Sequence, residues 1–431
     1  MRYLPQTKRS REEMLKVIGA NSVDDLFSDV PKSAMVDGKV NLPDHKGELE
    51  VERIMQGYAN QNTPASEAPF FLGAGTYFHH VPSSVDYIIQ RSEFLTAYTP
   101  YQPEIAQGTL QMIFEFQTFI AQITGQEIAN ASLYDGATAM TEAALMAMRV
   151  TKRRKIAFGN VVHPHYREVL ESYMRNFDDI EVVDSQDGKG AADDATACVI
   201  VQSPDFYGSP QKLEALREQC DESGALLVVV VNEILSLGLL PAPEIADIVC
   251  GEAQSIGLAM SYGGPHLGFF ACREKFVRQM PGRLCGQTVD AEGKRGFVLT
   301  LNTREQHIRR DKATSNICTN QGLCALAFTV HMSLLGEDGF KNLARLNHEA
   351  ACKTADALCD IDGVSLVSEN FFNEFTLQLP KDSHKIVQQL ADDGIIAGLA
   401  LDDNQLLVAA TEMTTAGDID KLAIALRGAL S

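Results

Sequence analysis

The sequence predicts an α/β fold with a large, mostly parallel-sheet domain, an N-terminal arm and a small C-terminal α+β domain. Short apolar runs alternate with polar helical stretches across residues 155–231, which is typical of right-handed strand–helix–strand units in parallel sheets. Within that region Leu226–Val231 is continuously apolar, as expected for a strand buried on both faces. We place the arm at residues 1–69, the large domain at 70–334 and the small domain at 335–431.

The N-terminal arm is predicted to hold short helices. Residues 10–13 have the spacing of a capping box, and Gly19 is placed to end the helix that this box would begin. Residues 22–25 have the pattern of a second helix start. The polar stretch from residue 43 to 69 contains prolines, and we expect a loop with one helix in it.

The elements of the two other domains follow from apolar periodicity. Apolar residues from Leu110 to Ile123 recur at three- and four-residue spacing, which predicts a helix that ends near Gly125. Residues 137–149 predict a second helix. Predicted strands are Lys155–Phe158, Ile180–Val183, Cys198–Val201 and Leu226–Val231 in the large domain, and Phe375–Leu379 and Leu406–Ala410 in the small domain, which a helix over 418–430 closes.

Composition and charge exclude several classes of function. A hydrophobic content of 45% is ordinary for a globular protein, and a net charge of −20 disfavours nucleic acid and anionic membranes as partners. The N-terminus has no apolar core of signal-peptide length, and no later stretch is apolar for the eighteen residues that a membrane span needs. We therefore expect a soluble, cytoplasmic protein.

The cysteines and histidines do not predict a metal site. The nine cysteines all follow residue 197 and form no CxxC pair, which indicates reduced thiols rather than disulfides or structural zinc. His79 and His80 are adjacent, so on a strand they would point to opposite faces. His163 and His165 have no acidic or cysteine ligand nearby in the sequence, and we favour structural or stacking roles for all four.

Three stretches contain groups that could bind a ligand. Asp135, Gly136 and Thr138 precede an apolar-periodic helix, where backbone N–H groups could bind a phosphate, or where Asp135 or Thr138 could simply cap the helix. The loop 98–104, with Tyr98, Tyr101 and Glu104, could line a pocket or only lead into a helix. The turn 314–320, dense in Ser, Thr and Asn, could bind an anion or be a capped turn.

Together these stretches resemble the glycine decarboxylase P-protein family, in its two-subunit form. Within that family the chain is most similar to subunit 1, the α subunit, and the resemblance covers nearly the whole chain. It is carried by Phe71–Tyr77, Thr96–Tyr101, Tyr134–Thr138, Leu258–Gly268, Gly293–Leu301, Arg304–Gln321 and Phe372–Phe375.

The resemblance implies a fold-type I, pyridoxal-phosphate-dependent architecture and an α2β2 assembly with a β subunit. It implies decarboxylation of glycine, with transfer of the aminomethyl group to the lipoyl arm of the carrier H-protein. In this family pyridoxal 5'-phosphate is bound to a lysine of the β subunit.

The chain lacks a lysine where such a cofactor is normally anchored. No lysine lies between Lys212 and Lys275, and our alignment places Gln254 and Ser255 where the β-type half has His-Lys. A pyridoxal Schiff base needs an amine, which neither side chain supplies. Glu233 stands where the family more often has an aspartate facing the pyridine nitrogen. We expect a degenerate pseudo-site formed by Asp135, Gly136, Thr138, Glu233 and Ser255.

The resemblance also implies that this chain completes the active site of its partner, because fold-type I sites lie at a dimer interface. We expect Tyr98, Tyr101 and Glu104 to act catalytically there. Thr314, Ser315, Asn316 and Thr319 are expected to reach the partner's cofactor.

Two other interpretations remain open at this stage. The chain could be a self-sufficient pyridoxal enzyme that uses a histidine, with His266 as candidate, although His266 lies well past the expected strand end. It could instead be a non-enzymatic scaffold or regulatory relative of the fold. A neighbouring reading frame that encodes a homologous chain with His-Lys would favour the heteromeric enzyme.

Overall fold

The computed structural model describes residues 6–431 except 37, 39, 186, 187, 189, 302–305 and 318. The chain forms two compact units, which divide between Thr63 and Pro64. The domain limits expected at residues 69 and 334 stay predictions.

The N-terminal unit contains helices α1 (Lys8–Ile18) and α2 (Glu48–Ala59). Helix α1 begins after Thr7, whose hydroxyl oxygen accepts a hydrogen bond from the Ser10 N–H at 3.1 Å. The predicted capping box at residues 10–13 is therefore wrong, because Thr7 already caps the helix and Ser10 lies in its first turn. Gly19 ends the helix with a φ of 82°, as its lack of a side chain allows.

The second unit is built around a mixed sheet. Its helices are α3 (Ser83–Ile89), α4 (Ser92–Leu95), α5 (Gln107–Thr124), α6 (Gly136–Thr151), α7 (Pro164–Met174), α8 (Glu214–Ser223), α9 (Gln306–Arg309), α10 (Gly322–Cys359), α11 (Ser383–Asp392) and α12 (Ala416–Leu430). Its strands are β1 (Ile128–Ala129), β2 (Lys155–Phe158), β3 (Glu181–Asp184), β4 (Thr196–Gln202), β5 (Leu226–Val231), β6 (Ile248–Glu252), β7 (Gly268–Cys272), β8 (Leu284–Val289), β9 (Arg295–Thr300), β10 (Ser365–Leu366), β11 (Glu374–Gln378), β12 (Leu399–Ala400) and β13 (Gln405–Ala409).

Within the described residues the main sheet has seven strands in the order β1-β7-β6-β5-β4-β2-β3. Strands β2 to β6 pair in parallel, whereas β7 runs antiparallel to both of its neighbours. The sheet is therefore mostly parallel, as the sequence predicts. Its central strands end at the edge where Asn232–Glu233 follows β5 and Ala253–Ser255 follows β6.

Strand β5 shows why an unbroken apolar run suits the centre of this sheet. Leu227, Val229 and Val231 pack into the core on the face that holds Phe116 and Phe328. The alternate residues of β5 pack into a second core on the opposite face, under α6 and α7. Both faces are covered because successive side chains of a strand point in opposite directions.

A smaller antiparallel sheet follows, in the order β10-β11-β13-β12. Helices α11 and α12 and residues 350–358 of α10 contribute to its core. Helix α10 is interrupted at Gly336, which adopts a φ of 61°. None of the helices in the described part of the chain is long and apolar enough to cross a membrane.

We expect Phe328→Ala to lower the free energy of unfolding by about 3–5 kcal/mol, because it leaves a cavity in the core. Phe328 is fully buried, and its ring meets that of Phe116 edge-on with centroids 5.3 Å apart. Urea unfolding would measure the loss. Phe177→Ala, at a side chain 44% exposed, is the control and should change stability by less than about 0.5 kcal/mol.

Candidate functional site

The side chain of Glu233 fixes the interior site at the end of β5. Glu233 is 3% exposed. Its Oε2 accepts a hydrogen bond from the Ser255 hydroxyl at 2.9 Å and contacts His79 Nε2 at 3.1 Å. Its Oε1 accepts the Leu235 N–H at 3.0 Å. The structure thus brings the predicted pair Glu233 and Ser255 into direct contact.

His79 bridges two carboxylates. Its Nδ1 lies 2.9 Å from Oε2 of Glu412, while its Nε2 faces Glu233. Burial opposes protonation of His79, but these carboxylates outweigh it and raise its pKa to about 10. Burial would raise the pKa of Glu412, but the hydrogen bond from His79 lowers it to about 2. A charged imidazolium between two carboxylates therefore occupies this end of the site.

The start of α6 is also occupied by protein groups. Asp135 caps the helix, and its Oδ1 accepts the Thr138 N–H at 2.7 Å. The N–H of Gly136 donates to Oε2 of Glu252 at 3.1 Å. A Cβ on Gly136 would lie 2.0 Å from the Tyr166 hydroxyl, so the helix start is closed on that side.

Glu252 is held firmly at this position. Its Oε1 accepts the N–H groups of Leu267 at 2.7 Å and Gln254 at 3.0 Å. Burial raises the pKa of its carboxyl, although the charge of His266 partly counters this. His266 Nδ1 lies 3.8 Å from Glu252 Oε2, so the histidine considered as a lysine substitute contacts the α6 end of the site.

These residues do not fit a bound pyridoxal phosphate. The Ser255 hydroxyl is hydrogen-bonded to Glu233 and offers no amine. A phosphate at the start of α6 would have to displace the Glu252 carboxylate and would face the negative charge of Asp135. The acid that could pair with a pyridine nitrogen is already bound to His79. Glu233, Ser255 and Glu252 thus make their hydrogen bonds to other groups of the chain.

His163, one of the histidines noted in the sequence, packs among aromatic rings. His163 stacks near His165, Tyr166 and Phe206, with ring centroids 5.1–5.2 Å away in each case. Its Nε2 lies 2.8 Å from the carbonyl oxygen of Ala74. The described residues contain no group of three His, Cys, Asp or Glu side chains that could hold a metal ion.

A second feature lies at the surface, where a cavity of about 120 Å³ opens beside Tyr98. We call it the Tyr98 cavity. Thr319 lines it together with Tyr98, so the structure joins the two loops that the sequence singles out. The other residues that line it are Phe94, Leu95, Ala97, Thr99, Pro100, Thr109, Met112, Ile113, Arg283, Asn320, Gly322, Leu323 and Leu326.

Arg283 connects two chain segments at the wall of the Tyr98 cavity. It is 4% exposed, and its guanidinium donates to Asn320 Oδ1 at 3.2 Å and to the Tyr101 hydroxyl at 3.3 Å. The guanidinium carbon also lies 5.6 Å from the centre of the Tyr101 ring. Tyr98 and Tyr101 are nevertheless 77% and 51% exposed, although the Tyr101 hydroxyl is directed at Arg283.

The other residues predicted to reach a partner's site lie outside the Tyr98 cavity. Glu104 is exposed and Asn316 accepts a long hydrogen bond from Gln306 at 3.4 Å. Ser315 hydrogen-bonds to Glu142, whose pKa burial raises. Thr314 is half-buried. None of these four residues lines the Tyr98 cavity.

Sequence reasoning missed Glu252, Arg283 and Glu412. Glu252 could have been noticed, because it is a carboxylate three residues before the missing lysine. Arg283 and Glu412 stand in stretches without a motif, and only the tertiary fold brings them to Tyr101 and His79.

The mostly parallel sheet and the smaller antiparallel sheet define an α/β fold whose interior site is closed by side chains of the chain itself. The family described as Glycine cleavage system P-protein matches residues 1–426. A probable glycine dehydrogenase (decarboxylating) subunit 1 from Parvibaculum lavamentivorans is 56% identical over 437 residues, covering 97% of each chain. The chain belongs to the glycine cleavage system P-protein family, which confirms the resemblance.

Solved structures confirm the predicted fold class. An inhibitor-bound glycine decarboxylase (P-protein) of the glycine cleavage system is 42% identical, with a TM-score of 0.92 and coverage of 99% of this chain and 100% of that one. A mutant of C-DES with glycine covalently linked to its pyridoxal phosphate matches with a TM-score of 0.59 at 14% identity, covering 84% of this chain and 97% of that one. This second likeness concerns the fold alone.

We expect His79→Leu to lower the free energy of unfolding by about 3–5 kcal/mol at neutral pH, because it leaves buried carboxylates unpaired. The folded-state pKa of His79 is raised from 6.5 to about 10. The stability that its charge contributes is therefore complete below pH 6.5 and is lost as the pH rises through about 10.

Urea unfolding of both proteins at several pH values between 6 and 10 would check this pH dependence. The difference between wild type and variant should shrink as the pH rises. His80→Leu, at the exposed neighbouring residue, is the matched control and should show no such trend. A difference that stays constant up to pH 10 would contradict the ion pair.

Proposed function

We propose that this chain is subunit 1 of a heteromeric glycine decarboxylase, the aminomethyl-transferring glycine dehydrogenase of the glycine cleavage system. One observation carries the proposal: the interior site is closed by Glu252 and by the Glu233–His79 pair, whereas Tyr98 and Tyr101 are exposed at the surface. A chain that cannot bind the cofactor itself can still contribute these phenols to a partner's site.

The partner in this proposal is a lysine-bearing β subunit in an α2β2 assembly. Pyridoxal 5'-phosphate is bound covalently by that subunit and not by this chain, and it supplies the electron sink for decarboxylation of glycine. Lipoylated H-protein receives the aminomethyl group. The names of the relatives support this assignment, since they are called decarboxylating subunit 1 of a glycine dehydrogenase.

Tyr98, Tyr101 and Glu104 are the catalytic residues that we assign to this chain. Exposed phenols are well suited to a shared site, because they can pack against a partner and still direct a hydroxyl at a ligand. Tyr101 receives the Arg283 hydrogen bond, which fixes its ring before any partner binds. The phenols would orient the substrate, exclude water and transfer a proton.

The turn 314–320 is proposed to reach the partner's cofactor through Thr314, Ser315, Asn316 and Thr319. The support is strongest for Thr319, because it lines the Tyr98 cavity. Asn320 ends the turn, and its Nδ2 donates to the carbonyl oxygen of Ala131 at 2.8 Å. A surface fixed in this way can present hydroxyls to a neighbouring chain without further ordering.

We expect the isolated chain to bind no pyridoxal phosphate stoichiometrically, because its site is filled. After incubation with the cofactor, dialysis should remove the cofactor absorbance, and borohydride should leave no adduct in residues 226–274. When the β-type chain is co-expressed, borohydride should attach the cofactor to that chain. Retention of one cofactor per isolated chain would instead support a self-sufficient enzyme.

We expect Tyr98→Phe/Tyr101→Phe to lower glycine–bicarbonate exchange by the assembled enzyme at least about tenfold, or about 1.4 kcal/mol of barrier. The double variant keeps both rings, so the complex and its cofactor spectrum should be unchanged. Tyr87→Phe removes the hydroxyl of a side chain that is 66% exposed outside the proposed site, and it should leave exchange unaltered. Full activity of the double variant would assign both tyrosines to packing alone.

A further inference from the structure

A small polar cavity lies between the end of β5 and the start of β11, beside Glu233. Its volume is about 20 Å³, which is enough for one species the size of a water molecule. We call it the Asn373 cavity. A ligand in this cavity contacts the ends of both sheets. The side chains that line it include Tyr77, Asp205, Asn232, Glu233, Asn373 and Glu374.

Two amide side chains in this cavity are buried without partners. Asn232 is 4% exposed and Asn373 is 2% exposed. The Oδ1 atom of Asn232 and the Nδ2 atom of Asn373 have no hydrogen-bond partner in the part of the chain that the structure describes. Buried polar groups nearly always have a partner, because an unpaired one loses its hydration without compensation. These two amides therefore indicate a ligand.

Both amides can direct an oxygen at that ligand. The oxygen and nitrogen of an asparagine amide have nearly the same size, and a half-turn about the last side-chain bond exchanges them. Within the described residues, no hydrogen bond from Asn373 Nδ2 holds this amide in one orientation. Asn232 and Asn373 can therefore each present a carbonyl oxygen to the cavity.

Glu374, the residue after Asn373, brings a carboxylate to the cavity. Its Oε1 accepts the Ala74 N–H at 2.6 Å, and its Oε2 accepts the Tyr77 hydroxyl at 2.8 Å. Each carboxylate oxygen has a further lone pair that can bind a ligand. Burial raises the pKa of Glu374 to about 7, and the charge of Glu233 adds to this rise. A positive charge beside Glu374 would compensate for both effects.

The surroundings of the cavity favour a cation with a single charge. Asp205 and Glu233 add two carboxylates to its wall, and the imidazolium of His79 is shared between Glu233 and Glu412. An anion would therefore be repelled. No group of three acids, histidines or cysteines in the described residues could hold a metal ion, so a divalent metal is not indicated. Pro204 and Asp205 are half-buried, and an ion can reach the cavity past them.

We propose that the Asn373 cavity binds one unhydrated monovalent cation of the size of a water molecule, either ammonium or potassium. The amide oxygens of Asn232 and Asn373 and the carboxylate of Glu374 hold it. Ammonium would donate hydrogen bonds to these oxygens, whereas potassium would be coordinated by them. Sodium is smaller and holds its hydration shell more strongly, and choline is too large to enter. The site is formed by this chain alone and does not depend on a partner subunit.

The test is urea unfolding of the full chain in potassium, ammonium, sodium or choline chloride at equal ionic strength, so that screening is the same. In about 100 mM salt, a cation that binds the folded chain with a dissociation constant of about 10 mM raises the ratio of folded to unfolded chain about tenfold. We therefore expect a higher urea midpoint in potassium or ammonium than in sodium or choline. Equal midpoints in all four salts would show that the cavity holds only water and would overturn the proposal.

Three variants separate this site from a general effect of salt. Asn373→Ala and Glu374→Gln should reduce the gain in potassium or ammonium from about tenfold to less than about twofold. In choline, Asn373→Ala should unfold at the wild-type midpoint, because the Nδ2 that it removes has no partner among the described residues, and this result also shows that the variant folds. Asn176→Ala, at an exposed amide, is the matched control and should keep the full response. A response that Asn373→Ala retains would refute the site.

Discussion

The carboxylate buried at the end of the central strand is the constraint on which the interior of this protein depends. Taking Glu233 out of water costs several kcal/mol unless charge and hydrogen bonds compensate. His79 and Ser255 provide that compensation at 3.1 and 2.9 Å. Because His79 also binds Glu412, one imidazolium links the end of β5, the segment that carries His79 and the turn after β13. Replacing His79 would therefore remove the imidazolium that Glu233 and Glu412 share.

At the opposite end of the interior site, a buried charge is again compensated by a neighbouring group of the chain. The start of α6 has a partial positive charge that an anion must neutralise, and Glu252 does so through the N–H of Gly136. A lysine at position 255 would therefore not by itself create a cofactor site. It would find Glu233 already paired with His79, and a phosphate would find Glu252 in its place. The groups that close the interior site are therefore distributed over both of its ends.

Local sequence patterns predicted most of the fold but few of the contacts in the candidate site. Residues 226–231 were predicted to form a buried strand, and the structure confirms it. A strand that is apolar on both faces fits only in the interior of the sheet of an α/β protein. The helix start at Ser10 was mispredicted because Thr7, one turn earlier, offers the same capping chemistry. Arg283 could not be anticipated, since its contacts with Tyr101 and Asn320 span 182 and 37 residues of chain. Contacts of that range depend on the tertiary fold, which no local pattern encodes.

The closed interior and the outward-facing tyrosines are physically connected. Residues 131–134 lead into the capped start of α6 and also hold the turn at 320–321, through the Ala131 carbonyl and the Ser132 hydroxyl. Asn320 in turn accepts a hydrogen bond from Arg283, which also binds Tyr101. The segment that leads into α6 thus also fixes the turn that lines the Tyr98 cavity. Close packing of residues 131–134 is therefore needed for the surface at Tyr98 as well as for the interior site.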